Sequence, residues 1–260
     1  MSESEKEIKL TPQQQRVLKL LFKFRFVSAQ LLAIVMGIRR RSVYEVLELL
    51  VAKGLVEKVY KEEWRLLGRS AYYYLSKPGV TTVRKLLDVK ESVVNSHYKN
   101  STASDENIEH SLTVLRCYTE LLPYLPKDTK LFAKAELGRF KQFPKNRPDL
   151  YVRTPDDQQA IVLVLDDTPK YIVKKRLDEI ISHFEDEGWE DGDYPHICFI
   201  FKDGNQKNTF LYGTYKKLEN MGMDEDEIKI LATHLKAFKE GNDRIWSSAF
   251  NPKSFVRLFE

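Results

Sequence analysis

Residues 42–75, SVYEVLELLVAKGLVEKVYKEEWRLLGRSAYYYL, change their hydrophobic period part-way along. Up to Gly54, the residues Val43, Val46, Leu47, Leu50 and Val51 recur at the spacing of one buried helical stripe. Ser42 and Glu45 stand three apart, as in a capping box, and Gly54 supplies the stop that helices take from a left-handed residue. Beyond Gly54, LVEKVY and SAYYYL are rich in β-branched and aromatic residues and flank the charged tip KEEWRLLGR. That is a hairpin signature, so a helix is predicted to run directly into a two-stranded ribbon.

Two more helices are predicted upstream. In LTPQQQRVLKLLFKF, Thr11 is placed to cap, Pro12 to occupy the first turn and Gln14 to close a capping box, and Val17, Leu20, Leu21 and Phe24 form one stripe. VSAQLLAIVMG reads as a short helix capped by Ser28 and stopped near Gly37. Three helices followed by a hairpin describe a winged helix-turn-helix, completed by the helix VTTVRKLL after Lys77-Pro78-Gly79. In that arrangement the third helix enters the major groove of DNA and the wing reaches the backbone or minor groove. Arg39, Arg40 and Arg41 are then expected just before the recognition helix, Tyr44 and Glu48 on its outer face, and Lys61, Arg65 and Arg69 on the wing. A guanidinium suits this role because it bonds two phosphate oxygens or two guanine acceptors at once. Glu45 is explained as a cap, whereas Glu48 either accepts from cytosine N4 or faces water.

The charge distribution agrees. The net charge of +4 divides into 18 Lys+Arg against 9 Asp+Glu in residues 1–90, and 24 against 29 in the remainder. A basic first third points to a polyanion. No run approaches the 18 or so apolar residues of a membrane helix, and MSESEKEIK lacks the apolar core of a signal peptide, so a cytoplasmic protein without a membrane partner is expected. Cys117 and Cys198 lie in apolar runs with no metal spacing and read as reduced core thiols.

DVKESVVNSHYKNSTASDEN, residues 88–107, is polar with little periodicity and reads as a linker. After it come the helix NIEHSLTVLRCYTELLPYL, the strands KLFAKAEL, DLYVR and AIVLVLDD, the helix YIVKKRLDEIISHFEDEG, the strand HICFIF, the helix TFLYGTYKKLENMG and the strand IKILATH. Strands as apolar as AIVLVL and HICFIF need cover on both faces. The expectation is α/β in two domains: winged helix at 1–87, linker at 88–107 and an α/β domain at 108–260.

Winged helix, linker, the helix carrying EHSLTVL, the strand ending AEL, then RPDLYV and LVLDDTPK…KKRLDEIISHF together resemble the replication-relaxation family of plasmids and other mobile elements. That family is similar to a class of plasmid mobilisation relaxases whose second domain resembles the PD-(D/E)XK, or restriction-endonuclease-like, nuclease fold. The resemblance implies a double-stranded DNA-binding protein acting at an origin of transfer or replication. Other mobilisation or replication proteins and a second copy of the chain are further candidate partners.

By the same resemblance Asp149 matches the family's first metal-binding Asp, and His110 a recurrent His. A catalytic metal set of Asp149, Asp166 and Glu136 would hold Mg²⁺ or Mn²⁺, which polarises the scissile phosphate and activates water. Lys170 is the candidate for stabilising the charge that builds on phosphate. The pattern breaks at Val164, where the family has an acid two positions before Asp166. In the plainer reading Asp166 and Asp167 sit in the first turn of a helix and Lys170 is solvated. The five histidines are scattered singly, and no phosphate loop, GxSxG or HExxH appears. The rival to a nickase is a non-catalytic DNA-binding regulator that uses residues 108–260 for dimerisation or protein contact.

Overall fold

The Thr11 hydroxyl accepts from the Gln14 amide at 3.2 Å while Gln14 Oε1 accepts from the Thr11 amide at 3.1 Å, so helix α1, Pro12–Phe24, begins where its capping box places it. The computed structural model describes residues 9–60, 62–66, 68–240 and 242–259, without the side chain of Arg65. The chain divides into two compact units, one up to Leu115 and one from Arg116.

In the first unit α1 is followed by β1, Val27–Ser28, and α2, Ala29–Met36. Ser28 Oγ caps α2 by accepting from Leu31 N at 3.3 Å, Gly37 closes it at φ 66°, and Arg16 donates to the last carbonyls, Val35 O and Met36 O, at 3.2 Å each. Then come α3, Arg40–Ala52, β2, Val56–Val59, the short α4, Glu63–Leu66, β3, Tyr72–Leu75, and α5, Lys77–Leu87. The sheet runs β1-β3-β2, antiparallel throughout, with Val27 opposite Tyr73 and Lys58 opposite Tyr73 from the other side. This is the winged-helix order. Gly79 is required at the head of α5, since a Cβ there would lie 1.9 Å from Leu55 O.

Two local expectations are corrected. Helix α3 starts at Arg40, with Arg39 as its cap and no side-chain cap bond, so Ser42 lies inside the first turn. Residues 88–107 are ordered rather than linker-like: they hold α6, Glu91–Val94, a 3-10 helix, Asn95–Thr102, and the start of α7, Asp105–Leu121. Their polar side chains make specific bonds: Arg25 donates to Asn100 Oδ1 at 2.9 and 3.1 Å and to Ser96 O at 3.1 Å, and His97 stacks on Phe22 at 4.9 Å. The division into units falls inside α7.

The second unit contains β4, Lys130–Ala133, a 3-10 turn, Lys134–Arg139, β5, Leu150–Arg153, β6, Gln159–Leu165, α8, Lys170–Glu185, β7, His196–Phe201, α9, Gly204–Met221, β8, Ile230–His234, and β9, Ser247–Ser248. Its sheet is ordered β4-β5-β6-β7-β8-β9. The first three strands form an antiparallel meander, β6, β7 and β8 are parallel, and β9 returns antiparallel. Ile161, Leu163, Leu165, Phe199 and Phe201 share one core cluster with Val173, Leu177, Ile180 and Ile181 of α8 and Leu211 and Leu218 of α9. Val162, Val164, Cys198 and Ile200, which point to the opposite face, are buried as well. Both faces are therefore covered, as the apolar strands require. Among the described residues no helix is long and apolar enough to cross a membrane.

Candidate functional site

Arg39, Arg40 and Arg41 are exposed at the N-terminal end of α3, whose first turn contains no acidic residue. A helix N-terminus carries about half a positive charge, so three cations there are unfavourable for the isolated fold and favourable beside an anion. Arg40 donates to Tyr44 OH at 3.0 Å and lies 5.3 Å from the centre of its ring. Arg41 pairs with Glu45 at 3.2 Å, which corrects the reading of Glu45 as a cap. Tyr44 is half-buried beneath Arg40, and an open hollow between α2 and α3 is lined by Ala33, Ile34, Gly37, Ile38, Arg39 and Ser42.

Glu48 does not simply face water. Its Oε1 accepts from Lys58 Nζ at 2.7 Å and Tyr73 OH at 3.4 Å, and so fastens α3 to the hairpin. Burial, reinforced by the Glu48 carboxylate, pushes the Tyr73 phenol up. On the wing, Lys61 and the Arg65 side chain lie outside the described residues. Arg69 is exposed with its guanidinium 3.9 Å from Glu109 Oε1, and Leu66 is 92% exposed at the tip.

Two of the acidic residues singled out in the second unit, Asp149 and Glu136, accept hydrogen bonds from backbone amides. Asp149 precedes β5, and its Oδ2 accepts from Val164 N at 2.9 Å. The reason is local: β5 begins at Leu150, whose partner on β6 is Val162, so the Val164 amide lies beyond the last strand pair. Val164 itself is 1% exposed. Glu136 sits in the 3-10 turn, and its Oε2 accepts from Ala133 N at 2.9 Å.

Asp166 and Asp167 lie in a bend after β6, and α8 starts only at Lys170; neither is in the first helical turn, contrary to the plainer reading. Burial, reinforced by the nearby Asp166 and Asp149 carboxylates, pushes the Cys117 thiol up. Asp167 pairs with Lys202 at 2.6 Å. Lys202 was not singled out from the sequence; Leu165 pairs with Phe201, so the ends LDD and FKD of neighbouring parallel strands meet, and that repetition was the available signal. Lys170 is exposed. Among the described residues no three His, Cys, Asp or Glu side chains are placed to hold a metal ion. With Val164 apolar and two carboxylates bonded to backbone amides, the donor set does not fit Mg²⁺ or Mn²⁺.

No protein-family model matches the chain, and no curated protein does. Among solved structures it is similar to Lactococcus lactis ZitR at 19% identity, covering 47% of this chain and 82% of that one with a TM-score of 0.28. It is similar to E. coli MarR in complex with operator DNA at 16% identity, over 45% and 78% of the two chains, TM-score 0.29. TrmBL2, an archaeal chromatin protein, covers 88% of this chain at 14% identity and TM-score 0.24. The winged-helix assignment rests on the order of helices and strands in the first unit.

Proposed function

We propose that the first unit binds double-stranded DNA through α3 and the wing, and that the protein is a non-catalytic DNA-binding regulator or accessory factor. The observation that carries this is the exposed run Arg39-Arg40-Arg41 at the acid-free N-terminus of α3. A phosphate seated there would meet the helix dipole and bidentate donors together.

The second unit has the order expected from the resemblance to the replication-relaxation family: a helix, an antiparallel meander, a helix and a parallel strand. This supports a nuclease-like fold. The engagement of Asp149 and Glu136 by backbone amides supports a fold without the metal chemistry, serving at an origin of transfer or replication to position DNA, to contact partners or to form a dimer.

The test is a gel-shift titration with duplex DNA. Wild-type affinity should fall steeply with salt as counterions are released, and changing Arg39, Arg40 and Arg41 together to Ala should weaken binding at least about tenfold with little change in melting temperature. Unaltered affinity would move recognition away from α3. Plasmid nicking by the wild type with Mg²⁺ or Mn²⁺, lost in Asp149→Ala, would overturn the non-catalytic reading.

A further inference from the structure

Beyond the winged helix, the second unit carries a concentrated basic face of its own. Residues 139–147, RFKQFPKNR, hold four cations and no acid, and residues 170–176, KYIVKKR, hold four more and no acid. The two stretches are held together by specific bonds. Asn146 donates through its backbone amide to Glu179 Oε1 at 3.0 Å and through Nδ2 to Glu179 Oε2 at 2.6 Å, and Arg176 donates to Asn146 O at 3.1 Å. Arg147 lies against Gly138, 3.7 Å from where its Cβ would be, beside Arg139, which stacks over Phe132 and Phe140 at 4.9 Å each.

Folding does not account for this concentration. Lys170 and Lys174 are four apart on the exposed side of α8, a like-charge spacing that weakens a helix. The acids that could neutralise Lys174 and Lys175 from four residues on are committed elsewhere: Asp178 to Lys217 and Glu179 to Asn146. Among the described residues, Lys141, Lys145, Lys170, Lys174 and Lys175 have no carboxylate partner, whereas Lys202, Lys217 and Arg153 are paired. This occurs in the part of the chain where acids outnumber bases, 29 to 24 over residues 91–260. Tyr171, 72% exposed among these lysines, adds a hydroxyl that can bond phosphate.

We propose that the face formed by residues 139–147 and the first two turns of α8 is a second nucleic-acid surface, which binds the sugar-phosphate backbone of duplex DNA independently of the winged helix. Charge complementarity fixes the occupant: a cluster of exposed ammonium groups without carboxylate partners suits the phosphates of a duplex.

The test uses the full chain and a 5′-labelled duplex of arbitrary sequence, titrated at several salt concentrations. The patch variant carries Gln at Lys141, Lys145, Lys170, Lys174 and Lys175. A control carries the same change at five exposed lysines elsewhere in the second unit, Lys127, Lys216, Lys236, Lys239 and Lys253. Each lost phosphate contact flattens the plot of log K against log salt by about 0.9, so the patch variant should lose up to about 4.5 in slope and the control much less. The same comparison in the Arg39, Arg40 and Arg41→Ala background should show residual salt-dependent binding that the patch changes remove. Equal slopes for patch variant and wild type, or equal flattening by the control, would overturn the proposal. Failure of the α3 reading would show separately, as unaltered binding by the triple arginine variant alone.

Discussion

His97 is 1% exposed, stacked on Phe22, and neither ring nitrogen has a hydrogen-bond partner among the described residues. Burial, with the Arg25 guanidinium adding to it, pulls its pKa down to about 4. The unfolded chain takes up this proton near pH 6.5 and the folded unit only near 4. Its neutral-form stability is therefore present above pH 6.5 and lost as the pH falls toward 4. At 1.36 kcal/mol per unit the loss reaches about 3 kcal/mol. His97→Phe keeps the stacking and removes two unsatisfied nitrogens, so it should be neutral or stabilising at pH 7 and should reduce the fall in melting temperature between pH 7 and pH 5. His183, His196 and His234 are lowered by burial as well, so the variant's difference from wild type isolates the His97 share. The idea fails if both proteins lose the same number of degrees. Residues of this kind show what sequence cannot give: SHYKN reads as solvated loop, because nothing local announces that His97 lands on Phe22.

At the level of elements, what was legible was what is settled by near neighbours along the chain. The Thr11-Gln14 box formed as spelled, the stripes of α1 and α3 are buried except at Leu20 and Val51, which are half-buried, and the apolar runs AIVLVL and HICFIF form strands. The Ser42-Glu45 box, spelled equally well, did not form, because α3 begins two residues before Ser42, at Arg40, and Glu45 pairs with Arg41 instead. The partner of Asp149 was not legible, because it lies fifteen positions along the chain and is met only where β5 begins at Leu150. Two substitutions test this. Asp149→Ala should cost about 1–3 kcal/mol in urea unfolding by orphaning a buried amide. Val164→Glu should cost more, since it places an unpaired carboxylate in a closed core, and it should gain no Mg²⁺ affinity by calorimetry. A folded Val164→Glu protein that binds Mg²⁺ would restore the metal-site reading.

For the whole molecule the ligand that stabilises it discriminates between functions, because anything that binds the folded state alone raises the melting temperature by mass action. A duplex at about 100 times its dissociation constant contributes about 2.7 kcal/mol. Spread over units of this size, that is a rise of several degrees, roughly 3–4 °C per kcal/mol. The rise should be large in low salt and fade as salt is raised, since the contacts expected from Arg39, Arg40, Arg41 and the lysines of α8 are to phosphates. Mg²⁺ should behave differently. A nuclease site with micromolar affinity would stabilise the chain by about 4 kcal/mol at a thousandfold excess of ion. On the non-catalytic reading proposed above, the carboxylates that accept from the amides of Val164 and Ala133 serve the fold, and no such site is expected. Melting curves in 10 mM MgCl₂ and in NaCl of equal ionic strength should therefore superimpose, within about 1 °C by the same mass-action arithmetic. Added duplex should shift both equally, apart from the screening that a divalent ion gives to phosphate. A rise specific to Mg²⁺ or Mn²⁺, abolished by Asp149→Ala, would mean that the carboxylate leaves Val164 for the ion and that the second unit retains the chemistry of a nickase.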